Sequence, residues 1–222
     1  ADQGHARSQF SLGVLLQHGL GVNQNFFEAK DYFEKAAEQG EARAQFNLGL
    51  MYSRGDGVPQ DQAEGAKWYR LAAEQGNEVG QYNLGVMYGT GLGVTQDYVE
   101  AYIWYRLAAE QGFAPAQYNL GNWFDTGEGV PRDYDEAVKL FRLAAEQGLA
   151  HAQYSLARRV AMGQGVTQDF VEAYAWFSVA AAGGYRDAST PRDWVADKLT
   201  PDQLRQAQQQ ATELFDKFSS VK

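Results

Sequence analysis

The chain repeats itself every 36 residues. Leu12, Leu48, Leu84, Leu120 and Leu156 mark one position in five consecutive copies, with no insertion or deletion between them. A gapless period in this range indicates stacked supersecondary units, each burying its apolar face only against its neighbours. The unit is clearest from Glu41 to Gly76, EARAQFNLGLMYSRGDGVPQDQAEGAKWYRLAAEQG. The five copies are 5–40, 41–76, 77–112, 113–148 and 149–184, and together they count as one repeat domain.

Two helices and two turns account for each copy. A first helix is expected roughly from Ala42 to Arg54, with Ala44, Leu48 and Tyr52 four apart on one face. Gly49 lies beside that stripe and is matched by Gly13, Gly85 and Gly121, and by Ala157 in the fifth copy. Glycine inside a helix costs about 0.5–1 kcal/mol relative to alanine, so its recurrence predicts close approach of the partner helix. The helix stops at Gly55, and Val58 is placed to plug the gap between helices. Asp61 and Glu64 have the spacing of a capping box. The pair recurs as Asp97/Glu100, Asp133/Glu136 and Asp169/Glu172, with Asn25/Glu28 in the first copy. A second helix from Gln62 to Gln75 carries Gly65, Trp68, Ala72 and Ala73 on its recurring face. Gly76 follows at the position of a left-handed C′ residue.

The recurring pattern A-x-A-Q-F/Y-N/S-L-G-x-x-Y, then G-x-G-V-x-x-D-x-x-x-A, then W-Y/F-x-x-A-A-x-x-G, resembles the Sel-1-like repeat. That family is a relative of the tetratricopeptide repeat with a slightly longer connection between its helices. The resemblance covers residues 5–184. It implies an all-α fold, a right-handed α-α superhelix that serves as an adaptor for a protein or peptide partner. It also implies a concave face lined by first-helix positions turned away from the second helix. Carried over through the shared L-G-x-x-Y, those positions are Arg7, Phe10, Val14 and His18 in the first copy, then Arg43, Phe46, Leu50 and Arg54. The later copies contribute Val79, Tyr82, Val86 and Thr90, then Pro115, Tyr118, Asn122 and Thr126, then His151, Tyr154, Arg158 and Met162.

Two features of that face bear on function. Phe10, Phe46, Tyr82, Tyr118 and Tyr154 form a ladder of aromatics, one per copy, either offering flat contact area to a peptide or packing between repeats. Arg7, Arg43, Arg54 and Arg158 are suited to carboxylates on a partner. Positions that differ between copies, namely Arg43, Arg54, Asn122, Trp123, Arg158 and Arg159, are the candidates for specificity. Asn122 resembles the asparagine of carboxylate-clamp tetratricopeptide domains, though a clamp needs several such residues.

The flanks break the register. Ala1-Asp2-Gln3-Gly4 matches Ala37-Glu38-Gln39-Gly40, so the chain is expected to open on the tail of an upstream helix. Residues 185–222 are expected to cap the stack. Trp194 and Val195 supply apolar contacts, and a final helix opens at Thr200-Pro201 with Leu204, Ala207, Ala211, Leu214 and Phe218 on one side.

Charge and chemistry narrow the remaining classes. The net charge of −9 invites a basic ligand, but nine of the 28 acidic residues are the capping Asp and Glu residues, placed where the helix dipole favours them. No basic stripe suits nucleic acid. No apolar run is long enough to span a membrane. Cysteine is absent, which excludes disulfides and thiolate metal sites without deciding the compartment. His5, His18 and His151 have no metal-ligand spacing. The Gly-x-Gly turns at Gly91, Gly127 and Gly163 lack the rest of a phosphate loop, and paired carboxylates such as Asp133 and Asp135 fall at a helix start. No catalytic set emerges, no cofactor is expected, and a monomeric, non-catalytic scaffold is the reading. A secreted, cysteine-rich branch of the family implies an alternative, an extracytoplasmic protein engaging cell-wall glycan or β-lactam-like ligands; the missing cysteines weaken it. Self-association through an uncovered N-terminal end is a third possibility.

Overall fold

The computed structural model describes residues 4–219, so Ala1, Asp2 and Gln3 of the expected helix tail lie outside the described residues. Twelve α-helices and no strand occur among the described residues. Five hairpins come first: α1 (Ala6–His18) with α2 (Phe26–Ala37), α3 (Ala42–Arg54) with α4 (Gln62–Glu74), α5 (Glu78–Thr90) with α6 (Tyr98–Glu110), α7 (Ala114–Thr126) with α8 (Tyr134–Glu146), and α9 (Ala150–Met162) with α10 (Phe170–Ala182). A short 3-10 turn, Arg186–Ala188, then leads into α11 (Ser189–Ala196) and α12 (Pro201–Ser219). Contacts gather these into two compact units, Ala1–Gln111 and Gly112–Lys222.

In the first unit, the expected close approach is made by a ring. A Cβ added to Gly13 would lie 2.6 Å from the Phe33 ring, one on Gly49 2.6 Å from Tyr69, and one on Gly85 2.9 Å from Tyr105. Each glycine backbone is thus packed against an aromatic of the second helix of its own hairpin. Successive hairpins join as α2 against α3 and α4 against α5. Val58 packs on the cluster built from Phe33, Ala44, Leu48 and Met51, which fills the inter-helix gap as the turn sequence requires.

The second unit repeats this scheme at Gly121, whose added Cβ would lie 2.8 Å from Phe141. In the last hairpin Ala157 and Phe177 share one core, together with Leu156, Val160, Trp176 and Val195. Both α11 and α12 pack on α10. Thr200 and Gln203 cap α12 reciprocally, with Gln203 N–H donating to Oγ1 at 3.3 Å and Thr200 N–H to Oε1 at 3.0 Å. Val195 is fully buried, whereas Trp194 is 52% exposed and only edges Phe170.

The repeated Asp/Glu pairs turn out to be half of a capping box. Each N-cap side chain accepts from the N3 N–H, as at Asn25, Asp61, Asp97, Asp133 and Asp169. The N-cap N–H does not go to the glutamate. It donates to a carbonyl of the preceding first helix, Asp61 to Tyr52 at 2.9 Å and Asp97 to Tyr88 at 3.0 Å. The cap therefore also clamps the turn onto the first helix. The released glutamates take other partners, among them Trp104 Nε1 on Glu100 and Trp176 Nε1 on Glu172.

The glycine–ring contact makes a direct prediction. Gly49→Val should destabilise the protein by about 1–3 kcal/mol, because the added Cβ and its two methyl groups must displace the buried Tyr69 ring. Urea unfolding measures this, and an unchanged midpoint would show that the approach is not close.

Candidate functional site

The first helices present one face to their second helices and another outward. On α3 the buried side holds Ala44, Gln45, Leu48, Gly49 and Met51. Three to four residues round, Arg43, Phe46, Leu50 and Arg54 are exposed or half-buried, and the matching positions of the other four helices behave alike. All twenty residues at these positions reach solvent at least in part. None of them is acidic, although the chain carries 28 carboxylate residues.

In the first unit, neighbouring copies touch across this face. The Arg43 guanidinium stands 4.5 Å over the Phe10 ring, and Glu41 holds it through two hydrogen bonds of 2.8 and 3.1 Å. That hydrogen bonding from Arg43 keeps the Glu41 carboxyl below the usual glutamate range. Arg54 makes no ion pair among the described residues. Phe10, Phe46 and Tyr82 each rest on the ring their glycine packs against, with centroids 5.9, 5.8 and 5.9 Å from Phe33, Tyr69 and Tyr105.

In the second unit, Tyr118 and Tyr154 rest in the same way on Phe141 and Phe177. A further ring from beyond the repeats joins them. Tyr185 lies 4.6 Å from Tyr154 and 5.0 Å from His151, which is 5.9 Å from Tyr118. Burial, and the neighbouring Tyr154 and Tyr118, push the Tyr185 phenol pKa up. Asn122 and Arg158 stand on the same helix faces as Tyr118 and Tyr154. Tyr185 was beyond the repeat register, and its tyrosine type was the only signal that it extends the ladder.

Two expected surface residues are internal. Trp123 is only 8% exposed and belongs to the core. Arg159 is 5% exposed, with Nε 2.5 Å from one Asp125 oxygen and an Nη 2.7 Å from the other, its guanidinium 4.9 Å over the Tyr134 ring. Both occupy the position of Met51 and Met87, which are buried in their own copies, and that register match is the signal that identifies them as internal. Arg158, next in sequence, is exposed and 3.6 Å from Asp125.

Each ladder aromatic thus packs on a ring of its own copy, Phe10 and Tyr118 also meet a residue of the next copy, and all five stay half-buried. No cluster of three or more His, Asp or Glu residues suited to a metal occurs among the described residues. No helix there is long and apolar enough to cross a membrane.

The family model described as Sel1 repeat matches residues 6–41, 42–77, 79–113, 114–149 and 150–185. A solved Sel1 repeat protein from Oxalobacter formigenes is 35% identical, with a TM-score of 0.81 over 94% of this chain and 86% of that one. A protective antigen of uropathogenic Escherichia coli strains, displaying an SLR fold, is 32% identical with a TM-score of 0.64. That match covers 99% of this chain and 55% of the antigen, so the present chain spans about half its length. An immunity protein from Pseudomonas aeruginosa, 23% identical over 97% of this chain and 82% of that one, shares the fold at a TM-score of 0.53. A search among curated proteins returns no match.

Two outcomes are expected from the charges. Asp125→Ala leaves the Arg159 guanidinium buried and unpaired, and should cost about 3–5 kcal/mol in urea unfolding; replacing both residues by leucine should restore most of it. The Glu41 carboxyl, lowered in the folded state, contributes stability above its unfolded value near pH ~4.3, and that contribution disappears as pH falls. Arg43→Ala should therefore flatten the acid limb of a melting temperature–pH profile, and an unaltered limb would refute the coupling.

Proposed function

The chain belongs to the Sel1 repeat family, generally scaffolds for protein interaction, and on that footing we propose that it docks an acidic segment of a partner protein along its first-helix face. The supporting observation is the composition of that face. Carboxylates are common elsewhere in this chain and missing from every one of its positions, where Arg7, Arg43, Arg54 and Arg158 stand among half-buried aromatics. Arginine pairs with carboxylates in a bidentate way, and a ring edge beside it takes the apolar part of the same peptide. Rings already braced from below lose little freedom on binding, which favours affinity. In the first unit the docking residues are Arg7, Phe10, Arg43, Phe46, Leu50, Arg54, Tyr82 and Val86. In the second they are Tyr118, Asn122, Tyr154 and Arg158, joined by Tyr185.

The structure guides the choice of test. Tyr82 and Tyr118 brace the hairpins, so truncating them would confuse folding with binding. Arg7 and Arg54 are exposed and make no ion pair among the described residues. The double variant Arg7→Glu, Arg54→Glu should keep the wild-type melting temperature and lose about ten-fold or more in affinity for any partner captured from bacterial envelope or cytosolic extracts. Arg7→Lys, Arg54→Lys should retain part of that affinity. Capture of the same partner with equal strength by the glutamate variant would overturn the docking face.

A further inference from the structure

Every first helix buries a glutamine at one register position, Gln9, Gln45, Gln81, Gln117 and Gln153, and in four copies a second glutamine thirty residues later answers it. Gln39 Nε2 donates to Gln9 Oε1 at 2.6 Å, Gln75 to Gln45 at 2.6 Å, Gln111 to Gln81 at 2.8 Å and Gln147 to Gln117 at 2.8 Å. The buried member can also donate to the preceding copy, as Gln81 Nε2 does to the Ala73 carbonyl at 3.1 Å. The pair thus satisfies both ends of an amide that is out of water.

The fifth copy lacks the answering residue. Gln153 is 2% exposed and its Nε2 donates to the Ala145 carbonyl at 3.2 Å, but thirty residues on stands Gly183. Among the described residues nothing donates to Gln153 Oε1. The helix end itself has not moved. Gly183 has φ −75° and ψ 3°, against −88° and 7° at Gln75, −78° and −2° at Gln111, and −90° and 2° at Gln147. Beside Gly183 and Gln153 lies a cavity of about 490 Å³. Val179 lines it from α10, and Phe215 and Phe218 line it from α12.

We propose that this cavity binds a primary carboxamide carried on a short aliphatic stem, of which glutamine is the simplest case. An amide oxygen can only accept, so an occupant that bonds Gln153 Oε1 must bring an N–H or O–H donor. A carboxamide reproduces the bond that the other four copies make. Its methylenes lie against Val179 and the two phenylalanine rings, the apolar wall with few polar groups that small-molecule sites use. Glu146 and Lys217 also line the cavity, one of each charge. This site is separate from the first-helix face and does not depend on the peptide-docking reading.

The test uses the whole chain, L-glutamine as probe, and the Gln153 side-chain amide resonances as reporter, with calorimetry alongside. L-glutamine should shift those resonances saturably. L-glutamate, which offers oxygens where the amide nitrogen is needed, should bind about ten-fold or more weakly. Gly183→Gln refills the slot from within and should raise the melting temperature of the free protein while reducing L-glutamine affinity by about ten-fold or more. N-acetylglutamine N-methylamide separates the sources. Binding as tight as that of L-glutamine assigns the site to a glutamine side chain of a peptide, and much weaker binding assigns it to the free amino acid. Absence of saturation by both glutamine probes, an equal response to glutamate, or unchanged affinity in Gly183→Gln would each overturn the proposal.

Discussion

Each hairpin closes on the contact between a small residue of the first helix and an aromatic ring of the second. With no side chain at Gly49, the Tyr69 ring reaches the helix backbone, and the other copies do the same with Phe33, Tyr105 and Phe141. The same ring supports the outward aromatic of its copy, Phe46 in this case. One contact therefore sets the spacing of the two helices and holds the half-exposed ring that the proposed docking face needs. An aromatic in that place is both a brace and a surface. The alternatives of ligand contact and packing are consequently not exclusive, since each ring packs inward and still reaches solvent in part.

Buried polar groups then fix how copies stack. The paired glutamines put an amide in the core with its donor and acceptor both used, an arrangement that tolerates one register and penalises others. Asp125 and Arg159 add a buried ion pair between the last two hairpins, with Arg159 in the place that Met51 and Met87 fill in their copies. Such a pair adds little net stability over apolar packing, but it is costly to break. Where an answering glutamine is missing, at Gly183, the stack leaves an acceptor facing a cavity.

The acidity of the chain and the basicity of its outward face have a common origin. Aspartates and glutamates concentrate at the starts of the second helices, where N–H groups and the helix dipole favour them. The first-helix face is free of that requirement and carries arginine instead. Overall net charge averages capping residues with surface ones and so does not describe the first-helix face.

The period, the hairpin boundaries, the capping aspartates and the small residue at the helix crossing were all legible in the sequence, because each follows from local spacing or from the conformational limits of one residue. The first-helix positions that reach solvent were legible too, through the family pattern carried over on the shared L-G-x-x-Y. Trp123 and Arg159 looked like surface variation until packing put them in the methionine position, where only neighbours in space decide what is covered. Tyr185 lay outside the register and joined the aromatic cluster through the path of the chain after α10. The fate of the capping glutamates and of the glutamine pairs depended on which backbone and side-chain groups other helices had already satisfied. Hydrogen-bond accounting of that kind is a property of the whole packed structure, and a linear pattern holds the candidates without assigning their partners.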